Sequence, residues 1–360
     1  MRHALIIGAG PAGSVAAILL SGAGWRVHLV EQHRFPRDKV CGECLSSSGF
    51  DVLSRLNLLP EFFSLKPIQL KRTILHAMHG ERLSLDLPRE MWGISRSALD
   101  QFLLHHARAA GAIILQPARC ESLTPGKRPR ARLRNLESNE EDELGASVVL
   151  LADGKGALLS TRPRVTSDFG IKTHFENVRG PRDAIEMFGV GHHYGGLAPI
   201  ERDRTNAAFS VPGELIAKAR GDIDLVFSQV SRRNPALGAR LKDATRCAPW
   251  LAAPLPRFHV SDDWPEGIIP LGNSAAALEP IGGEGMGLAM RSSELAVEAI
   301  LDDSIDRLPA RFDKLWRMRS LSCRAIAKLL SSATWSGFTM DIARTCPFAV
   351  PVTMAMMGKS

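Results

Sequence analysis

Six residues near the start, Gly8-Ala9-Gly10-Pro11-Ala12-Gly13, constrain the fold of this chain more than any other feature. They follow Ala4 to Ile7, a short, wholly apolar run that reads as a parallel strand buried on both faces. Ser14 to Ser21 is small and apolar and reads as a helix. Gly22 to Gly24 closes it, and Arg26 to Val30 makes a second strand that ends in Glu31. The unit is a βαβ motif of about 30 residues. Gly8 permits the tight turn, Gly10 lets backbone approach a pyrophosphate, and Gly13 lets helix and strand pack closely. The helix amides after Ala12 then face anionic oxygens. Glu31 stands where a carboxylate can accept both hydroxyls of an adenosine ribose and would repel a 2′-phosphate. Strand, turn, helix, strand and terminal acid in this order point to a bound dinucleotide, without saying which one.

At 360 residues the chain exceeds the usual single core, so two closely associated domains are expected. A hydrophobic content of 45% and a charged content of 23% suit a soluble globular protein and exclude a disordered or low-complexity chain. The glycines after Ile7 break the apolar stretch that a signal peptide needs, and the chain reads as cytoplasmic. No apolar run approaches the roughly 20 residues that cross a bilayer, and the run from Pro347 to Met357 is short and contains Pro351. The formal charge of +7 comes from scattered Lys and Arg, which suits an anionic cofactor, an acidic partner or a membrane surface better than nucleic acid. Six cysteines, mostly far apart, read as reduced thiols. No second Cys or His pair completes a metal site.

The kind of dinucleotide is carried by the segment from Gly267 through Leu271-Gly272-Asn273-Ser274 to Ala277, followed by Glu279-Pro280-Ile281-Gly282-Gly283-Glu284-Gly285-Met286-Gly287. It resembles the second FAD motif of the hydroxylase-like FAD-dependent oxidoreductase superfamily. That superfamily includes aromatic hydroxylases, flavin-dependent halogenases and geranylgeranyl reductases, and the resemblance is greatest to the geranylgeranyl reductase and halogenase-like branch. It implies that residue 273 reaches the ribityl chain; the family's aspartate is asparagine here, which keeps a hydrogen bond and loses the charge. It also implies a helix opening near Gly285 whose amides face the anionic pyrimidine edge of reduced flavin. Gly282, Gly283, Gly285 and Gly287 would let backbone lie against the flat ring.

Three further segments fit the resemblance. Phe35 to Glu43, which includes Lys39, Cys41 and Gly42, is similar to the loop that passes close to the flavin. Gly93 to Asp100 is similar to the segment whose arginine, Arg96, reaches FAD, and Ser97 with Asp100 forms a capping-box pattern for a helix from Ala98 to Ala110. Val148 to Leu151 reads as a buried strand before Asp153-Gly154, which matches the superfamily's Asp-Gly motif. From the residues alone, Arg96 could equally be a surface ion-pair residue and Asp153 a turn former.

The substrate side is read from Cys41, Glu43 and Tyr194, taken as candidate catalytic residues. Cys41-Gly42-Glu43-Cys44 has the spacing of a redox pair, so a dithiol oxidoreductase competes with the other readings. Tyr194 to Pro199 matches the reductase branch at Tyr194 and Pro199, as does Asn206. Gly196 and Ala198 replace that branch's aromatics and would leave room for a bulkier ligand. The paired tryptophans of halogenases are missing.

The expected architecture is α/β. A doubly wound, Rossmann-like FAD-binding domain takes residues 1–60, 93–160 and 262–300. An antiparallel-sheet substrate domain takes 61–92 and 161–261, and a helical C-terminal segment takes 301–360. The expected cofactors are FAD and NAD(P)H as electron donor. The expected substrate is small and apolar, free or bound to a carrier protein. Phe312 to Phe338 reads first as a helix covering the core and second as a surface for a membrane or partner. Oxygenation of an apolar metabolite leads, carbon-carbon double-bond reduction follows, and a non-catalytic flavin-binding module is the remaining reading.

Overall fold

In a computed structural model describing residues 2–154, 158, 168–256, 258, 264–332, 355 and 358, the strand His3–Ile7 is the centre of a five-stranded parallel sheet. The order is Ile268–Pro270, Val148–Leu151, His3–Ile7, Arg26–Val30 and Ile113–Leu115. Alternate residues serve opposite faces. Ala4, Ile6, Leu29, Leu150 and Ile269 pack under the helices Pro11–Gly22 and Gly285–Leu301. Leu5, Ile7, Val30, Val149 and Leu151 pack under a three-stranded antiparallel sheet, Ala118–Thr124, Arg130–Asn135 and Glu141–Gly145. This explains the unbroken apolar runs, because both faces are covered.

The register brings Ile7, Val30, Leu151 and Pro270 to one edge. The loops that follow Ile7 and Leu151 therefore start side by side. That edge, where the chain leaves the central strand toward either side, is the crevice in which open α/β sheets bind ligands.

The second sheet has nine strands, with Asp168–Glu176, Thr205–Pro212, Tyr194–Pro199, Ala184–Gly189, Ile68–His76 and Arg82–Gly93 as its main run. It is antiparallel except where Ala184–Phe188 pairs parallel with Arg72–His76. One face, through Ile171, Leu197, Phe209 and Val211, packs on the helices Gly213–Lys218, Ile223–Arg232 and Pro235–Leu241. The other face turns toward the first sheet and is closed by the helix Leu308–Ser331. Cys323, Ala327 and Leu330 of that helix join Leu70, Ile185 and Met187 in one apolar cluster. The helix is anchored at its other end by buried Phe312 and Trp316 in the cluster of the first sheet. Residues 333–338 of the stretch read as this helix, and the run from Pro347 to Met357, lie outside the described residues, apart from Ala355. Among the described residues no helix is long and apolar enough to cross a membrane.

Candidate functional site

The glycine turn is shaped by contact on every side. Gly8 has φ +101°, and a Cβ there would stand 2.5 Å from the Ala152 carbonyl oxygen, so only glycine fits both the torsion and the space. A Cβ on Gly13 would collide with the carbonyl of Gly8, which fixes the helix Pro11–Gly22 hard against the strand. The Ala9 amide donates to Glu31 Oε2 at 3.0 Å, and the His33 amide to Glu31 Oε1 at 2.8 Å. Glu31 thus joins the end of the second strand to the turn of the first. The Ala152-Asp153-Gly154 loop is tied to the later motif: Ser274 Oγ donates to Asp153 at 2.6 Å and accepts from the Gly154 amide at 3.2 Å.

A cavity of about 500 Å³ starts at this edge and runs to the second sheet. It is lined by Gly10, Ala12, Cys41, Gly42, Arg96 and Gly154, and by Asn273, Gly283, Gly285 and Met286. Gly8, Gly13, Glu31, Asp153 and Gly287 stand outside this lining. At Gly42 and Gly285 a Cβ would meet nothing within 4 Å, so the cavity presents bare backbone at two places. The N-termini of the helices Pro11–Gly22 and Gly285–Leu301 both open at the cavity wall.

The glycine loop is corrected in one respect. Gly287 does not expose backbone to the cavity: a Cβ there would collide with Ser46 Oγ and lie 2.8 Å from the Gly49 amide nitrogen. It is needed for close packing on the helix Ser47–Arg55. Gly282 and Gly283 line the cavity, but their missing side chains would meet Cys323 Sγ at 3.0 Å and Met91 Cε at 2.9 Å. Only Gly285 leaves open space.

Arg96 is buried beside the turn, its guanidinium 3.6 Å from where a Cβ on Gly10 would lie. It makes a bidentate pair with buried Asp100 at 2.9 and 2.7 Å. Burial works against its charge, but the Asp100 carboxylate and the Cys41 thiol outweigh that and hold the guanidinium protonated. The surface reading of Arg96 is therefore set aside. The capping pattern is also corrected. The helix is Arg96–Ala109, and Ser95, not Ser97, caps it by accepting from the Ala98 amide at 3.1 Å. Asp100 is drawn off by Arg96, one turn back on the same helix, and by Arg37 at 3.2 Å, charged partners stronger than a helix amide.

Glu43, wholly buried, anchors the Cys41 loop. Its carboxylate accepts from Lys172 Nζ at 2.7 Å, His174 Nε2 at 2.7 Å and the Arg96 amide at 2.8 Å. Burial pushes this carboxyl up, yet the His174 and Lys172 bonds prevail and hold it below the ordinary range. Lys172 also reaches Asp38 at 3.0 Å, and Asp38 is likewise held low against its burial. Asp38, Glu43 and His174 have the spacing of a metal site, but the Lys172 ammonium is bonded to the two carboxylates. Glu43 therefore positions the loop and the start of the arginine helix through bonds already made. The Asn206 amide group adds a bond to the Cys41 carbonyl at 3.1 Å.

The two thiols of the C-x-x-C segment go different ways. Cys44 joins the cluster of Leu70 and Met91, whereas Cys41 packs against that of Leu45 and Met286. The Cys44 thiol donates to the Gly42 carbonyl oxygen at 3.4 Å.

On the far wall Tyr194 and Ala198 line the cavity with Leu75, Leu85, Ile185 and Met187. The room expected at Gly196 is already filled, since a Cβ there would stand 2.9 Å from Met187 Sδ. The Tyr194 hydroxyl donates to Glu279 Oε1 at 2.5 Å. Glu279 is a cavity residue that sequence reasoning quoted only as part of the loop; an acid inside a glycine-rich apolar segment was its signal.

Residues 1–178 match the family of FAD binding domains. The match takes in just under half of the chain, and agrees with the resemblance to hydroxylase-like FAD-dependent oxidoreductases. The chain's relatives span the branches. A flavin-dependent halogenase of Armillaria mellea is 29% identical over 174 residues, covering 44% of this chain and 33% of its own. Kynurenine 3-monooxygenase of Stenotrophomonas maltophilia is 24% identical over 367 residues, covering 91% and 78%. The chain thus spans about a third of that halogenase. Among solved structures, a geranylgeranyl bacteriochlorophyll reductase-like protein of Thermoplasma acidophilum shares the fold, with a TM-score of 0.74, 18% identity and coverage of 99% and 100%.

Proposed function

We propose that the chain is an NAD(P)H-dependent, monooxygenase-type flavin enzyme acting on an apolar metabolite of aromatic, polyketide-like or isoprenoid character. The observation that carries this reading is one continuous cavity with bare backbone at Gly42 and Gly285 and an apolar wall opposite. The residues fit FAD. A flat ring needs the space that a Cβ at Gly42 or Gly285 would fill, and a pyrophosphate needs the amides after Gly10. Gly10, Ala12 and Gly13 would hold the pyrophosphate with Arg96 beside it, Glu31 the adenosine ribose, and Asn273 the ribityl chain. Bound FAD would supply the redox chemistry, taking electrons from NAD(P)H and delivering them with oxygen to the substrate.

The protein's own part is electrostatic and steric. The helix N-terminus at Gly285 favours negative charge at its mouth, and the Arg96 guanidinium, held in place by Asp100, lines the same cavity. Leu329 and Leu330 of the C-terminal helix close the cavity, and Leu75, Leu85 and Ile185 exclude water from the substrate side.

The Phe35 to Glu43 loop, shared with reductases, supports carbon-carbon double-bond reduction as a second reading. The divergent packing of Cys41 and Cys44 lends the dithiol reading no support. Stopped-flow flavin reduction by NADPH, with and without oxygen, across a panel of apolar substrates separates the readings. Strict oxygen dependence with a hydroxylated product supports the first; anaerobic turnover to a saturated product replaces it with the second.

A further inference from the structure

Tyr194 and Glu279 are a polar pair set into an apolar wall. Tyr194 begins the strand Tyr194–Pro199, and Glu279 precedes the turn Pro280–Gly282 of the glycine loop, so the pair stands where the two sheets meet. Tyr194 packs in the cluster of Cys44, Leu70, Met91, Ile185, Met187 and Cys323, and Glu279 is half-buried beside it. Packing alone gives no reason for a carboxyl there, because an apolar side chain would fill the same space without a desolvation cost.

The pair has a fixed polarity. Burial and the neighbouring carboxylate keep the Tyr194 hydroxyl protonated, so it donates and Glu279 accepts. That bond uses Oε1 at 2.5 Å, and among the described residues no hydrogen bond reaches the second oxygen. Both residues line the cavity. A ligand that satisfies the second oxygen must bring a hydrogen-bond donor; an ether or ketone oxygen would face it with two acceptors and no proton.

The charge of that donor is also constrained. Burial raises the Glu279 carboxyl above its ordinary value, opposed by the Tyr194 bond and by Arg324, and Asp168 adds to the rise. Arg324, on the helix Leu308–Ser331, already supplies positive charge to this carboxyl, so a cationic group would meet like charge.

We propose that the Tyr194–Glu279 pair is a specificity device that selects apolar substrates carrying a neutral hydroxyl or amino group and anchors that group in the cavity. This deepens the reading of the cavity as the substrate site of a flavin enzyme and rests on it. A site built to accept a hydrogen bond rejects an analogue lacking the proton more strongly than an apolar pocket rejects a change of size.

The test is calorimetric binding to the FAD-loaded protein with matched probes: phenol and anisole, 2-naphthol and 2-methoxynaphthalene, farnesol and farnesyl methyl ether. In at least one pair the hydroxyl compound binds about tenfold tighter or more, the value of a hydrogen bond to a charged or buried acceptor. Glu279→Met removes the acceptor, and Glu279→Gln, nearly identical in shape, offers a donor to the ether. Both bring the ratio within about threefold, since neither leaves an acceptor-only site. Failure of every pair to separate in the unaltered protein, or an unchanged ratio in Glu279→Gln, overturns the proposal. Visible flavin absorbance of the same samples reports separately on the cofactor: loss of FAD from the unaltered protein defeats the flavin reading, while the hydroxyl preference is still measured.

Discussion

Replacing Lys172 with methionine removes the cation that holds the Cys41 loop to the second sheet. At 2.7 Å the attraction between Lys172 and Glu43 is about 6 kcal/mol at an effective dielectric of about 20. Methionine has similar bulk and also removes the cost of burying the ammonium. The net loss for a buried charge deprived of its partner is then about 3–5 kcal/mol. His174 and the Arg96 amide still bond Glu43, which sets the expected loss near the lower end, about 3 kcal/mol. The Asp38 contact adds little, because that side chain is 38% exposed and screened by solvent. The pH dependence has a definite sign. Glu43 and Asp38 sit below their ordinary values when folded, so the stability they contribute is present above the unfolded carboxylate range, about 4, and is lost as pH falls through the folded values. In the variant Glu43 loses one of the groups that keep it ionised, and acid relieves the strain by protonating it. The penalty is therefore largest at pH about 7 and shrinks by pH about 4.5. Urea unfolding followed by circular dichroism at both pH values measures it. A loss under about 1 kcal/mol at neutral pH, or an equal loss at both, would refute the buried-pair argument.

Three further outcomes are expected. Gly287→Ala drives a methyl into Ser46 and the Gly49 amide, lowering stability by about 1–3 kcal/mol by thermal melting; an unchanged melting temperature would show that the two helices are not in close contact there. Trp316→Ala empties a site that is 1% exposed and 5.2 Å from the Phe312 ring centroid, at a cost of about 3–5 kcal/mol in urea unfolding. Asn273→Asp restores a charged acceptor at the ribityl position, and FAD release on dilution slows several-fold; equal or faster release would remove residue 273 from the cofactor site.

What the sequence made legible was local. The strand His3–Ile7, the turn and the helix after it are set by apolar runs and glycine spacing within about 30 residues. Arg96 and Asn273 could be placed at the cavity only through a resemblance, because nothing in their neighbours says what they face. Glu43 was read as a candidate catalytic residue, whereas its partners Lys172 and His174 lie 129 and 131 residues away and carry no local mark beyond sharing one side of a strand. Ser95 was missed as the cap because Ser97 and Asp100 carry the same pattern, and the bonds of Arg96 and Arg37 to Asp100 decide between them. The three-stranded sheet Ala118–Gly145 was overlooked although Ala131 and Leu133 alternate with Arg130, Arg132 and Arg134, the period of a half-buried strand. Its charge content masked the alternation; cross-strand pairs such as Arg130–Glu143 and Arg134–Glu141 are where those charges go.

FAD content decides most directly whether the turn at Gly8 to Gly13 and the helix at Gly285 hold a flavin between them. Cofactor released by heat from the purified chain, identified by chromatography, should be FAD at one per chain. Gly285→Leu, whose side chain enters the open space, should retain FAD at least about tenfold less tightly, with the melting temperature of the apoprotein unchanged within a few degrees. A nicotinamide dinucleotide in place of FAD, or full FAD retention in Gly285→Leu, would contradict the assignment.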